Sequence, residues 1–230
     1  MFHINVISKP KISIITIVLN GAKTIEQTIN SVIGQTAGDI EYIIIDGGST
    51  DETIEIIKKY AKHIDVFVSE PDTGIGNAFN KGVLAASGEI IGIINADDWY
   101  EETAVADVID IYGKYPYYDV YYGKCNFITL VGTPNIKGSE NGHLLLLDSM
   151  NMAHPSTFVK RDAYLKYGLF NEDYRIAMDY EWLLRAYVNG AIFRSVDALL
   201  AHHRPGGISQ VNYDEAYAEC SRARNIFLNK

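Results

Sequence analysis

Continuous β-branched runs recur along the first half of the chain, each followed by one helix-length amphipathic segment, and no other feature restricts the fold as much. Lys11-Ile12-Ser13-Ile14-Ile15-Thr16-Ile17-Val18-Leu19 reads as a strand buried on both faces. It stops at the turn signal Asn20-Gly21, and Thr24–Gln35 then places Ile25, Ile29, Val32 and Ile33 at helical spacing. The unit repeats. Strand Glu41–Ile45 precedes the capping-box pattern Ser49-Thr50-Asp51-Glu52 and a helix with Ile54, Ile57 and Ala61 on one face. Strand Ile64–Val68, a helix from about Gly74 to Ala86, and strand Ile90–Ile94 follow. Alternation through about residue 113 predicts an α/β fold with a mostly parallel, right-handedly wound sheet and helices on both faces.

Beyond residue 113 the regularity fails. Tyr117–Tyr122 reads as a strand, Thr129–Asn141 as a loop or hairpin, Arg161–Tyr167 and Asp179–Val188 as helices, Ile192–Val196 as a strand and Tyr213–Leu228 as a final helix. No repeat or low-complexity linker divides the chain, so residues 1–230 are read as one domain, with a nucleotide-binding half at about 11–113 and a second half at about 114–230.

Composition narrows the partners. The 20 Lys and Arg against 29 Asp and Glu leave a net charge of -9 without a basic cluster, which argues against nucleic acid. An acidic chain that binds a polyanion needs a cation between them. Cys125 and Cys220 are far apart and lack a CxxC partner, which fits a reducing compartment. Met1–Lys11 has no leader-like apolar core, and no stretch is long enough to span a bilayer. A cytoplasmic location is expected, with peripheral contact at the inner membrane face left open.

The strand Ile90–Ile94 ends in Asn95-Ala96-Asp97-Asp98. Two carboxylates about 4 Å apart repel by about 4 kcal/mol at an effective dielectric near 20, and a divalent cation would reverse that sign. The plainer reading is that Asp98 caps the helix opening around Glu101-Glu102-Thr103 while Asp97 is solvated. After the second strand, Asp46-Gly47-Gly48 permits close approach of a ligand to the backbone; Asp46 is the ligand candidate and Asp51 a helix cap. Gly74-Ile75-Gly76-Asn77-Ala78-Phe79 lacks the third small residue of a dinucleotide fingerprint, so a NAD site is rejected.

Six segments in register, Ile14–Asn20, Ile45–Asp51, Glu70–Gly82, Gly88–Asp98, His154-Pro155-Ser156 and Met178–Trp182, make the chain resemble a family 2 inverting glycosyltransferase of the GT-A fold. The resemblance covers about residues 11–209. It implies a nucleotide-diphosphate sugar donor, a saccharide or lipid-linked saccharide acceptor on the side of the second half, and Mn²⁺ or Mg²⁺ as cofactor. Leu19, Asn20, Asp46, Gly47, Asn77, Lys81, Asn95, Ala96, Asp97 and Arg204 fall on the donor side. Gly47 stands where many relatives carry a second Asp that reads the base, and Leu19 where many carry an aromatic. Asp97, Asp98 and His202 are the implied metal set, Asp179 the general base, and His154 and Glu181 the acceptor side, with Glu181 as fallback base. His202-His203-Arg204 beside Gly206-Gly207 suits a closing element. The work implied is assembly of a surface polysaccharide or glycolipid. Two rivals stand beside it: a sugar-nucleotide pyrophosphorylase, and a catalytically silent homologue that only binds.

Overall fold

The structure, a computed structural model, describes residues 11–37, 39–129, 131–138 and 140–228. The leader-free reading of Met1–Lys11 therefore falls outside the described residues except at Lys11.

Three strand–helix units and a fourth strand form as the periodicity requires. They are β1 (Ile12–Val18), α1 (Ile25–Ile33), β2 (Ile40–Asp46), α2 (Thr53–Lys59), β3 (Val66–Ser69), α3 (Ile75–Ala85) and β4 (Ile90–Asn95). β5 (Trp99–Tyr100) and α4 (Ala104–Lys114) follow. The second half holds β6 (Val120–Phe127), β7 (Ile136–Lys137), β8 (Thr157–Lys160), α5 (Arg161–Tyr167), α6 (Met178–Val188), β9 (Phe193–His203), α7 (Ile208–Val211) and α8 (Tyr213–Leu228).

One sheet runs in the order β3-β2-β1-β4-β8-β6-β9-β5, with β7 against β6. Strands β1 to β4 pair in parallel, β8 lies antiparallel between β4 and β6, and β9 is parallel to β6. Strand alternation divides the core between the faces. Ile15, Ile17, Ile43, Ile45, Ile91 and Ile93 pack with α3, α5 and α6. Ile14, Tyr42, Ile44, Ile90 and Ile94 pack with α1, α2 and α4. Each such side chain, fully buried, contributes about 1.5–3 kcal/mol relative to exposure. A Cβ at Gly82 would lie 2.4 Å from the Ile15 side chain, so α3 sits on β1 at a distance only glycine allows.

The chain steps from β1 outward to β2 and β3, then returns to place β4 on the other side of β1. The carboxyl ends of β1 and β4 thus flank the point where the winding reverses, where open α/β sheets bind ligands.

Candidate active site

Asn20 follows β1 with φ of 53°, the one positive φ outside glycine among the described residues. Asn tolerates this left-handed geometry better than most residues. Its backbone N–H donates to Ser49 Oγ at 2.7 Å, and its Oδ1 accepts the Thr50 N–H at 2.8 Å. Asp51 closes the same junction, taking the Ala22 N–H at 3.1 Å and the Thr53 N–H at 3.0 Å. Asp51 thus takes the first N–H of α2 from one position before its N-cap residue, Glu52, while Ser49 serves the β1 turn instead of closing the capping box.

Asp46 is fully buried and accepts hydrogen bonds from the N–H groups of Gly48 and Ser49 and from Ser69 Oγ at 2.7 Å. It organises the turn and, fully buried, lies outside the two cavities at this end of the sheet, away from the nucleoside contact expected of it. Gly47 explains itself differently: a Cβ there would lie 2.3 Å from Asp72 Oδ2. The Asp72 carboxylate fills the space a side chain at 47 would need, and Asp72 lines a cavity of about 560 Å³ over the ends of β1 and β4. Leu19, Asn20, Asn77, Asn95, Ala96, Asp97 and Asp98 line it too. Lys81 does not. Its ammonium pairs with Glu70 at 2.8 Å and reaches the Pro71 carbonyl, holding the turn before α3.

After β4 the chain leaves strand geometry, and Thr28 Oγ1 from α1 pins the turn by donating to the carbonyls of Ala96 and Asp98 at 2.9 and 2.6 Å. Asp98 is buried, and its Oδ1 accepts the Arg204 N–H at 2.9 Å. Burial pushes its carboxyl up to about 7 despite the opposing charge of His203, with Asp97 adding to the rise. The helix-cap reading of Asp98 fails: α4 starts at Ala104, and its N-cap position is Thr103.

His203 Nδ1 lies 3.9 Å from Asp98 Oδ1 and donates to the Arg204 carbonyl at 2.7 Å. His202 turns the other way. Successive strand residues face opposite sides, so His202 stacks on Trp99 at 4.9 Å and pairs with Glu101 at 2.8 Å. The imidazole beside the carboxylates is that of His203, a correction to the expected metal set. Arg204 covers the turn from outside, with Nε on the Asp97 carbonyl at 3.0 Å, Nη2 on Gln27 at 2.5 Å and its guanidinium over Trp99. It lines neither cavity described here.

The second cavity, about 530 Å³, adjoins the first through Ile75, Asn95, Asp98 and His203. Asp179 lines it from the second position of α6, where burial raises its carboxyl to about 6. Asp179 is not the N-cap; that position is Ala177. The cap comes from α8, whose Glu219 accepts the N–H groups of Arg175, Ile176 and Ala177 at 2.8, 3.0 and 2.8 Å. His154 Nδ1 stands 4.0 Å from Asp179 Oδ2, its ring stacked on Phe79 at 4.7 Å. Burial drives its imidazole down to about 4. Glu181 faces the core, where Arg185 pairs with it at 2.8 Å, so it belongs to neither cavity and drops out as fallback base and acceptor contact.

Residues 13–170 match the model of Glycosyl transferase family 2. The chain belongs to that family. A Mycobacterium bovis protein named PGL/p-HBAD biosynthesis glycosyltransferase is 30% identical over 215 residues, covering 90% of this chain and 82% of the relative. S. aureus TarS 1-349 in complex with UDP-GlcNAc superposes with a TM-score of 0.76 at 21% identity, over 94% of this chain and 66% of that one. The mannosyltransferase PcManGT from Pyrobaculum calidifontis, in complex with GDP-Man and Mn²⁺, gives 0.72 at 16% identity over 96% and 64%. Those likenesses confirm the GT-A fold. The chain spans about two thirds of the length of these solved structures.

Asp72, Glu172 and Glu219 went unnoticed in the sequence. Glu172 ties the second half to α3, accepting from Asn77 and Asn80 at 3.2 and 3.0 Å. Both Glu172 and Glu219 act across long sequence separations, and no local pattern marks such acidic residues. Asp72 lay inside the Glu70–Gly82 match and carried its own signal, the glycine at 47 that makes room for it.

Proposed function

We propose that the chain transfers a sugar, with inversion, from a nucleotide diphosphate to an acceptor hydroxyl in the assembly of a glycolipid or surface polysaccharide. One observation carries this reading: the carboxylates after β4 and the carboxylate at the start of α6 open onto adjoining cavities that share Asn95, Asp98 and His203. The relatives named as glycosyltransferases support it.

The residues suit a divalent cation held jointly with the donor. Among the described residues no three His, Cys, Asp or Glu side chains form a cage. Asp97, Asp98 and the His203 imidazole offer a partial set, and Asn95 Oδ1 beside them is buried without a partner. Mg²⁺ and similar ions are commonly bound by one or two carboxylates plus substrate phosphates. Such a cation would neutralise the charge that develops on the leaving diphosphate.

The chain's own groups do the rest. Asn20, Asp72 and Asn77 meet the nucleoside end, and Asp72 supplies the carboxylate that Gly47 lacks. Asp179 takes the proton of the attacking hydroxyl, since a base with pKa near the working pH combines availability with driving force. His154, kept neutral, leaves that carboxylate free of an ion pair at neutral pH. The test is release of nucleoside diphosphate from UDP-GlcNAc, GDP-mannose and the dTDP- and CDP-sugars in Mn²⁺. Metal-dependent release from one donor is expected; no binding and no release with any of them would contradict the reading.

A further inference from the structure

The walls of the cavity that holds Asp179 are largely apolar. Phe79, Phe127, Met150, Met152, Ile176 and Met178 line it. Of its polar groups, the buried Asp98 and the half-buried Asn95 and His203 lie at the border with the donor-side cavity, as does the exposed Ser209, and His154, stacked on Phe79, stands beside Asp179. Farther out, Lys137 and Asn151 are exposed and already engaged: the ammonium sits over the Phe127 ring, and the amide donates to Ser149. Tyr180 also lines the cavity, but its hydroxyl donates to the Leu146 carbonyl at 2.6 Å. A saccharide needs many directed hydrogen bonds, and leaving its hydroxyls unpaired against apolar walls is costly. Methionine and aromatic walls suit an adaptable apolar body instead.

We infer that the acceptor presents its reactive hydroxyl to Asp179 from a molecule whose apolar aglycone, a ring or an alkyl chain, occupies the Met150, Met152 and Phe127 end of this cavity. This rests on the transferase reading and adds the substrate class: an amphiphile, not a free oligosaccharide. Each methylene buried contributes about a fourfold factor in affinity, so the difference is measurable with simple probes.

The experiment titrates the whole chain, saturated with Mn²⁺ and UDP or GDP, with methyl, hexyl and phenyl β-D-glucopyranosides below any micellar concentration. Hexyl or phenyl glucoside should bind at least about thirtyfold more tightly than methyl glucoside. Met150→Gln and Met152→Gln should each cut that gain at least fivefold while nucleotide affinity stays as in the parent chain. Using both guards against one variant failing to fold. Equal affinity for the three glucosides, or a gain that survives both substitutions, overturns the inference. A nucleotide signal without a glycoside gain leaves the transferase reading standing and removes the amphiphilic acceptor. A glycoside gain without any nucleotide binding removes the transferase reading instead.

Discussion

A carboxylate that must accept a proton near neutral pH has to be less acidic than free aspartate, and burial does this to Asp179 at the start of α6. Asp179→Asn keeps the shape and the bond to the Tyr180 N–H but removes the acceptor of the proton, so turnover should fall about 10²–10⁴-fold. Nucleotide affinity, measured on the same preparation, should barely change. Turnover of the parent chain should rise with pH through about 6 as Asp179 ionises. Stability moves the opposite way. The folded pKa lies above the unfolded value, so the stability linked to protonation is full below about pH 4 and lost as pH rises through about 6. At pH 8 Asp179→Asn should therefore be more stable than the parent by about 1–2 kcal/mol, and the gain should vanish at pH 4; a loss of stability at pH 8 would mark a structural role. Asp97 and Asp98 could be singled out from sequence because they end a strongly patterned strand, and Asp179 because it falls in the Met178–Trp182 segment of the family resemblance. The choice between His202 and His203 could not, because it depends on the phase of β9 against β6, and Ile192–Val196 predicted only the start of that strand.

Elements show the same division. The helices over Arg161–Tyr167 and Tyr213–Leu228 form with the bounds their patterns predict. β5 and β8 escaped because two and four residues are too few to show a period; they are strands only through pairing with β9, β4 and β6. The link between α8 and α6 was equally hidden, since Glu219 caps backbone N–H groups more than 40 residues away. Charge-assisted caps are strong, so Glu219→Ala should cost about 1–2 kcal/mol in urea unfolding, with Glu219→Gln recovering part of it. Amide exchange at residues 175–179 should accelerate in the alanine variant; unchanged exchange would show that the cap is not what fixes Asp179. The segment after Arg204 is the other element with a role to test. Gly206 has φ of +95°, and Ile208 and Ser209 line both cavities. Exchange in residues 205–212 should slow on adding nucleoside diphosphate with Mn²⁺, and equal protection with and without them would remove its part as a closing element.

At the scale of the whole molecule, strand order places the chemistry. The alternation of strands and helices predicted the parallel half, and winding from β1 to β3 and back to β4 brings Asn20 and Asp97-Asp98 together at the reversal. The second half was poorly read because its sheet is built from long-range pairs, β6 with β8 and β9, that no local period encodes. The site exists only because that half folds back, setting Asp179 and His203 across a shared cavity from β4. On the proposed function, a chain with net charge -9 whose Asp97 and Asp98 carboxylates face the donor's diphosphate would need a cation to hold it. Calorimetric titration of UDP and GDP into the parent chain and Asp98→Asn, each in Mn²⁺ and in EDTA, tests that claim most directly. The parent should bind at least one of the two in Mn²⁺ and lose most of that affinity in EDTA, and Asp98→Asn should bind weakly in both. Equal binding by the parent in Mn²⁺ and in EDTA would contradict it.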